Sequence, residues 1–296
     1  MKIFGSENYG KYSLLLSQCN LIVAISFGWL NQSQLRYYSK DKTNKDYYSI
    51  QFKALFYCIT LSLFILSIFI LFQSLTFKVF LLSYLTIISI GIFNYIKTLY
   101  QTKFFPKKIV YLTAVQSSLA LFIPIILLLF FQPKETTILL GVGLSFLVVL
   151  SFIIINSKIK SIRFWLNTQI LKKSNSILKR WVLFGGPLST WYAIGLSLPF
   201  LDRFFINIFH SSDLGAYSSL QELLTRSFSL ILFPLMMALH PRIIKIWNEL
   251  NYEYAIKILL WFFYGMLIIG LGLLVLFFQF ENFFYELIKK AIPSIT

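Results

Sequence analysis

Eight apolar segments, each long enough to cross the hydrocarbon core of a bilayer, constrain this chain of 296 residues more than any other feature. A core about 30 Å thick needs about 20 apolar residues in helical form. The segments are Tyr12–Gln34, Ile50–Gln73, Phe77–Tyr100, Ile109–Phe131, Thr136–Asn156, Trp181–Phe209, Leu214–His240 and Tyr254–Phe280. Because helices satisfy their backbone hydrogen bonds internally, the sequence predicts an all-α polytopic membrane protein with about eight transmembrane helices.

Composition excludes a soluble fold of this length. Hydrophobic residues make up 57% of the chain and charged residues only 13%, about half of the charged fraction of an average soluble domain. Such a chain has too little polar surface to cover a soluble core. Cys19 and Cys58 lie in separate apolar segments, which indicates packing positions rather than a zinc site or a disulfide. We predict no metal and no cofactor.

The net charge of +16 is explained by where the basic residues fall. In a soluble protein it would suggest nucleic acid, but here most basic residues follow the first, third, fifth and seventh segments. They are Arg36, Lys40, Lys42, Lys45, Lys53, Lys97, Lys103, Lys107, Lys108, Lys158, Lys160, Arg163, Lys172, Lys173, Lys179, Arg180, Arg242, Lys245 and Lys257. The opposite loops, Ser74–Thr76, Gln132–Glu135 and His210–Asp213, are short. The positive-inside rule predicts a multi-pass protein of the cell membrane with its basic loops in the cytoplasm and no nucleic-acid partner.

The longest basic loop, Lys158–Arg180, contains no acidic residue. Its apolar residues Ile162, Trp165, Leu166 and Ile170 fit one face of a helix lying along the inner membrane surface. A solvated basic linker is the alternative that the same residues allow.

An internal repeat relates the two ends of the chain. Phe4–Leu15 and Phe209–Leu220 align without gaps at an offset of 205, and six of twelve positions match. The same shift places the first apolar segment on the seventh and the second on the eighth. Both copies run from outside to inside, so the repeat is parallel, an arrangement that transporters use around a central site.

The repeat also predicts which helices would be missing. Trp181–Phe209 directly precedes the second copy, so its counterpart would lie upstream of Met1, and three further helices would follow Thr296. We therefore expect part of a two-lobe protein of twelve helices. Residues 1–157 would form an N-terminal lobe without its first helix, 158–180 a basic cytoplasmic linker between the lobes, and 181–296 a partial C-terminal lobe.

Several motifs, taken in order, resemble those of Wzx-type polysaccharide (O-antigen) flippases. They are Glu7-Asn8-Tyr9-Gly10-Lys11-Tyr12, Arg36, Leu201-Asp202-Arg203, Asp213-Leu214-Gly215-Ala216-Tyr217 and Pro241-Arg242. This family belongs to the multidrug/oligosaccharidyl-lipid/polysaccharide exporter superfamily. The resemblance implies a MATE-like fold, alternating access, and transport of undecaprenyl-diphosphate-linked oligosaccharide across the cell membrane. The implied partners are that lipid-linked substrate, the bilayer and other membrane proteins of polysaccharide assembly.

Ionisable residues within apolar segments are the candidates for a substrate path, because charge is costly in a membrane. Asp202 and Arg203 lie in the sixth segment, and Glu222 and Arg226 lie in the seventh. Arg203 is the first candidate for a phosphate contact, with snorkelling to the outer interface as the alternative. The spacing of Glu222 and Arg226 also allows a self-neutralising pair that only packs helices.

The remaining candidates are weaker. Arg36 and Arg242, at cytoplasmic helix ends, are either substrate contacts or, more often, topology anchors. The polar residues Asn31, Gln32, Gln34, Asn94 and Gln116 could contact sugar, although hydrogen bonding between helices is the commoner role. Gly185, Gly186, Pro187 and Pro199 predict a bendable sixth helix, with a static kink as the alternative.

Enzymatic functions lack support in the sequence. It contains no phosphate-binding glycine loop and no metal-ligand cluster, and its two histidines, His210 and His240, are predicted at opposite membrane faces. A membrane polysaccharide polymerase or ligase is the first rival, but such enzymes work through large external loops. A multidrug exporter of the same fold is the second, but its cavity would be acidic or aromatic. We predict a flippase and no enzymatic activity.

Overall fold

The computed structural model describes residues 5–41, 47–73, 76–103, 105–132, 134–156, 175–226, 228, 243, 246 and 252–279. It divides into two compact units, one of residues 2–212 and one that begins at Asp213.

Eight helices occupy the described residues. They are α1 (Ser6–Asp41), α2 (Tyr47–Gln73), α3 (Phe77–Thr102), α4 (Pro106–Phe130), α5 (Glu135–Asn156), α6 (Asn175–Phe209), α7 (helical over 214–226) and α8 (Tyr252–Gln279). Seven of these helices, all except α7, are long and apolar enough to cross a membrane. The predicted class, a multi-pass helical membrane protein, is thereby confirmed. About half of the remaining predicted span, Leu214–His240, lies outside the described residues.

The end of the predicted basic linker belongs to a helix. Residues 175–180 form the beginning of α6, whereas the sequence analysis placed them in the loop Lys158–Arg180. The reason is tertiary, because Arg180 and Trp181 both bind Asp41 at the end of α1. The rest of that loop, with its proposed amphipathic face, lies outside the described residues.

Helix α1 is the centre of the first unit and contacts α2, α3, α5 and α6. In the most apolar 18-residue stretch of α1, 78% of the residues are buried, whereas the corresponding share is 17% in α4 and in α6. Ile22, Phe27 and Leu30 are fully enclosed. The outer helices α2, α4 and α6 instead expose many large apolar side chains, as expected of surfaces in contact with lipid.

Small residues bring the helices close together. A Cβ atom at Gly91 of α3 would lie 2.6 Å from the ring of Phe27, and one at Gly141 of α5 would lie 2.7 Å from the backbone of Pro124. Such close approach at small residues is how membrane helices gain packing energy without a hydrophobic driving force.

The unit boundary differs from the predicted lobe boundary. Helix α6 was predicted as the first helix of a C-terminal lobe beginning at 181, but its most extensive contacts are with α1 and it belongs to the compact unit of residues 2–212. The two-lobe architecture of twelve helices stays a prediction. In the predicted repeat, Tyr12–Tyr37 would correspond to Tyr217–Ile243, and more than half of this second copy lies outside the described residues.

The orientation of the helices can be tested by cysteine labelling in intact cells. We expect an impermeant thiol reagent to label Gln132→Cys and Ser211→Cys but not Lys42→Cys, because loop charge places the basic loops inside. The native Cys19 and Cys58 are buried and should add little background. Permeabilised cells, in which all three variants should react, provide the control. Labelling of Lys42→Cys from outside would reverse the topology.

Candidate functional site

One stripe of α6 is buried along nearly the whole helix. It consists of Leu178, Trp181, Gly185, Ser189, Ala193, Phe200 and Arg203. Near its beginning the stripe faces α1, since a Cβ at Gly185 would lie 2.0 Å from the carbonyl oxygen of Trp29. Arg203 follows Gly185 by about five helical turns and therefore projects from the same side of α6.

Arg203 is enclosed by protein. Its relative exposure is 8%, and its Nε atom has no hydrogen-bond partner among the described residues. None of the ion pairs in the described part of the chain includes it. Arg203 lies about 9 Å from the end of α6, and its contact with a phosphate group stays a prediction. The preceding residue of α6, Asp202, lies outside the buried stripe and is exposed.

The predicted pair in α7 is formed. Arg226 Nη2 lies 3.4 Å from Glu222 Oε2, and the arginine side chain is 81% exposed. This geometry matches the self-neutralising pair that the sequence analysis kept as an alternative to a substrate contact. Arg242 lies outside the described residues.

The predicted hinge residues lie within one continuous helix. Pro187 and Pro199 are both internal to α6. Gly185 is a packing contact with Trp29 and Ser33 of α1, whereas a Cβ at Gly186 would meet nothing within 4 Å. The two neighbouring glycines therefore have different structural roles, and bending of α6 stays a prediction.

Asp41 joins the end of α1 to the beginning of α6. Nη2 of Arg180 donates to both carboxylate oxygens, at 2.6 and 2.7 Å, and Nε1 of Trp181 donates to Oδ2 at 2.9 Å. About two turns before Asp41 in α1, Ser33 donates to the carbonyl oxygen of Trp181 at 2.6 Å. These bonds fix the relative position of two helix ends that are 139 residues apart in the chain.

Aromatic rings extend this junction towards Arg36. The guanidinium carbon of Arg36 lies 4.1 Å from the ring centroid of Phe184 and 5.5 Å from that of Tyr37. Arg180 stacks on the same Tyr37 ring, at 4.6 Å. Cation–π contacts of this kind hold guanidinium groups in fixed positions. We call Arg36, Tyr37, Lys179, Arg180 and Phe184 the α1–α6 basic cluster.

A pocket of about 420 Å³ lies against this cluster. It is lined by Tyr37, Ser176, Lys179, Arg180, Leu183 and Phe184. Its walls thus combine two cations, two hydroxyl groups and an apolar surface. This arrangement suits an anionic group that is attached to an apolar one.

Amide side chains within α1 lack partners. Both amide atoms of Gln18 and of Gln34, and Oδ1 of Asn31, are buried without a hydrogen bond to any described residue. For Gln34 this departs from the predicted role in hydrogen bonding between helices. Buried amides without partners are costly, so these positions favour contact with water or a polar ligand.

Asp41 is not predicted from the sequence as a functional residue, and Lys179 and Arg180 are predicted only as loop charges. A signal was present, because Asp41 and Asp46 are the only acidic residues between Glu7 and Glu135. An isolated carboxylate in a basic stretch at a helix end favours a specific partner. The identity of that partner depended on the packing of α6 against α1.

Two features could act on an anion, the α1–α6 basic cluster near the beginning of α6 and the enclosed Arg203 near its end. The alignment of motifs with Wzx-type flippases stays a prediction, because comparison of this chain with family models, curated proteins and solved structures finds no match.

Proposed function

We propose that this protein carries lipid-linked, diphosphate-bearing oligosaccharide units across the cell membrane. The observation that carries the proposal is Arg203, a cation enclosed by protein on a membrane-spanning helix. A charged residue inside a membrane-spanning segment is costly unless it faces a cavity or a partner. A cation enclosed in this way is well explained if it stabilises an anion that has to pass through the protein.

The polar atoms of α1 support the same function. Gln18, Gln34 and Asn31 present buried amide atoms without partners in the helix that lies at the centre of the first unit. Sugar hydroxyl groups both donate and accept hydrogen bonds, as amides do. An oligosaccharide headgroup would therefore satisfy donors and acceptors that the described protein groups leave open.

The two rival functions fit these residues less well. An exporter of organic cations would be opposed by the charge of Arg203. A polysaccharide polymerase or ligase would need a substantial external domain, but the connections at 131–134 and 210–213 are only four residues long.

Transport can be measured with the full chain reconstituted in phosphatidylcholine vesicles. The probe is a polyprenyl diphosphate oligosaccharide with a fluorescent label on its sugar, and dithionite bleaches the label only on the outer leaflet. We expect Arg203→Gln to slow transbilayer movement about ten- to a hundredfold, since a charge-assisted contact contributes about 1.5–3 kcal/mol. Arg203→Lys should retain part of the rate, because it keeps the charge but loses the planar fork of donors.

Lys78→Gln is the matched control, because it removes an exposed positive charge near the same predicted face of the membrane. It should transport at the wild-type rate, and protein levels in the vesicles must be equal. A normal rate for Arg203→Gln would show that Arg203 serves packing alone. Transport of a cationic dye, with no movement of the diphosphate lipid, would favour the exporter.

A further inference from the structure

The α1–α6 basic cluster lies at the ends of two candidate membrane spans, Glu7–Tyr38 and Ser176–Phe209. Tyr37 packs on Phe184 within the cluster, and three further aromatic residues with polar groups lie next to it, namely Tyr38, Tyr47 and Trp181. Their rings pack edge to face in a chain, with Tyr47 between Tyr38 and Trp181. Because the cluster lies where these two spans end, we expect the adjacent pocket to be at the depth of lipid headgroups.

The cluster has an excess of positive charge. Asp41 binds Arg180 and so offsets one of the three cations. Arg36 and Lys179 take part in none of the ion pairs found among the described residues. The rings of Tyr37 and Phe184 fix Arg36 beside the pocket, and Lys179 lines it.

The pocket has an apolar side as well. Leu183 lines it and is 67% exposed, and the following turns of α6 expose further apolar residues such as Leu188 and Trp191. An anionic group held by the cations would therefore lie directly above a surface suited to acyl or isoprenyl chains. The pocket has a volume of about 420 Å³ and is open rather than enclosed.

We infer that the pocket between α1 and α6 binds the phosphate group of a membrane lipid. Arg36 and Lys179 supply the charge, Ser176 supplies a hydroxyl donor, and Leu183 contacts the lipid chain. The lipid is either a bilayer phospholipid or a polyprenyl diphosphate, since both present a phosphate at this depth. This inference depends on the cluster alone and does not require the proposed transport.

Binding can be measured by fluorescence anisotropy with the purified full chain in detergent. The probes are phosphatidylglycerol, polyprenyl diphosphate and diacylglycerol, each labelled on its apolar tail. We expect the Arg36→Gln/Lys179→Gln variant to bind both phosphate lipids about 25-fold more weakly, because each basic residue at a membrane surface contributes about fivefold. Weak binding of diacylglycerol, which lacks phosphate, should not change.

Two further variants make the result specific. Lys107→Gln/Lys108→Gln removes the same charge from exposed residues on the same predicted face. Lys108, like Arg36, lies over aromatic rings. This control variant should bind both phosphate lipids within threefold of wild type. Arg36→Lys/Lys179→Arg keeps the charge and should also bind within threefold, which would exclude misfolding as the cause of weaker binding.

The outcomes separate the possible ligands. Weaker binding of both lipids identifies phosphate as the shared determinant, and weaker binding of one alone assigns the pocket to that lipid. Unchanged binding of both would overturn the inference, as would an equal loss in the Lys107 and Lys108 control. Competition by inorganic phosphate as effective as that by unlabelled lipid would overturn the assignment to a lipid.

Discussion

Gly185→Ala is expected to destabilise the protein by about 2–3 kcal/mol, the upper part of the range for overpacked positions. The added methyl group would lie 2.0 Å from the carbonyl oxygen of Trp29 and 2.5 Å from the hydroxyl of Ser33. Backbone atoms cannot rotate away, so α1 and α6 would have to separate. The measurement is the unfolding temperature of the purified protein in detergent, together with its elution profile in size-exclusion chromatography.

Gly186→Ala is the control for this experiment. The substitution is chemically identical and one residue away, but the new methyl group meets nothing within 4 Å. Alanine also has a higher helix propensity than glycine, by about 0.8–1.0 kcal/mol. We therefore expect Gly186→Ala to be neutral or stabilising. Equal stability of the two variants would mean that α1 and α6 do not approach each other closely at Gly185.

Asp41→Ala is the second substitution with a large expected effect. It removes the acceptor for Arg180 and for the indole of Trp181, a fully buried side chain. Breaking a fully buried ion pair costs about 3–5 kcal/mol, but the Arg180 side chain is 37% exposed and solvent offsets part of that loss. We expect a destabilisation of about 2 kcal/mol, with a smaller loss for Asp41→Asn, which keeps an acceptor for Trp181.

Glu7→Ala is the control for Asp41→Ala, because it removes an ion pair of the same length from an exposed position. Lys11 Nζ lies 2.6 Å from Glu7 Oε1, the same distance as between Arg180 and Asp41, but both side chains are largely exposed. Exposed pairs contribute little to stability, so this variant should unfold at the wild-type temperature. If Asp41→Ala also unfolds at that temperature, the junction of α1 and α6 does not depend on Asp41.

Much of the candidate site was accessible from sequence because it follows from local rules. A charged residue inside an apolar segment can be recognised from the sequence alone, and this criterion selected Arg203. The structure places Arg203 on the buried stripe of α6. The spacing of Glu222 and Arg226 likewise predicted the pair that is formed. The basic cluster was not predicted as a unit, because Arg36 and Lys179 belong to segments separated by four helices.

The sequence by itself determined the class of the protein. Seven of the eight predicted spans are helices that can cross a membrane, because segment length and apolar content suffice for that inference. Only the tertiary structure decided where α6 packs and which residues Asp41 binds. Asp41 can contact Arg180 only if α1 and α6 pack against each other. This packing depends on small residues such as Gly28 and Gly185, because a Cβ atom at either position would lie 2.9 Å or less from the opposite helix. Apolar periodicity does not encode this approach, since any apolar helix face is compatible with lipid as well as with another helix.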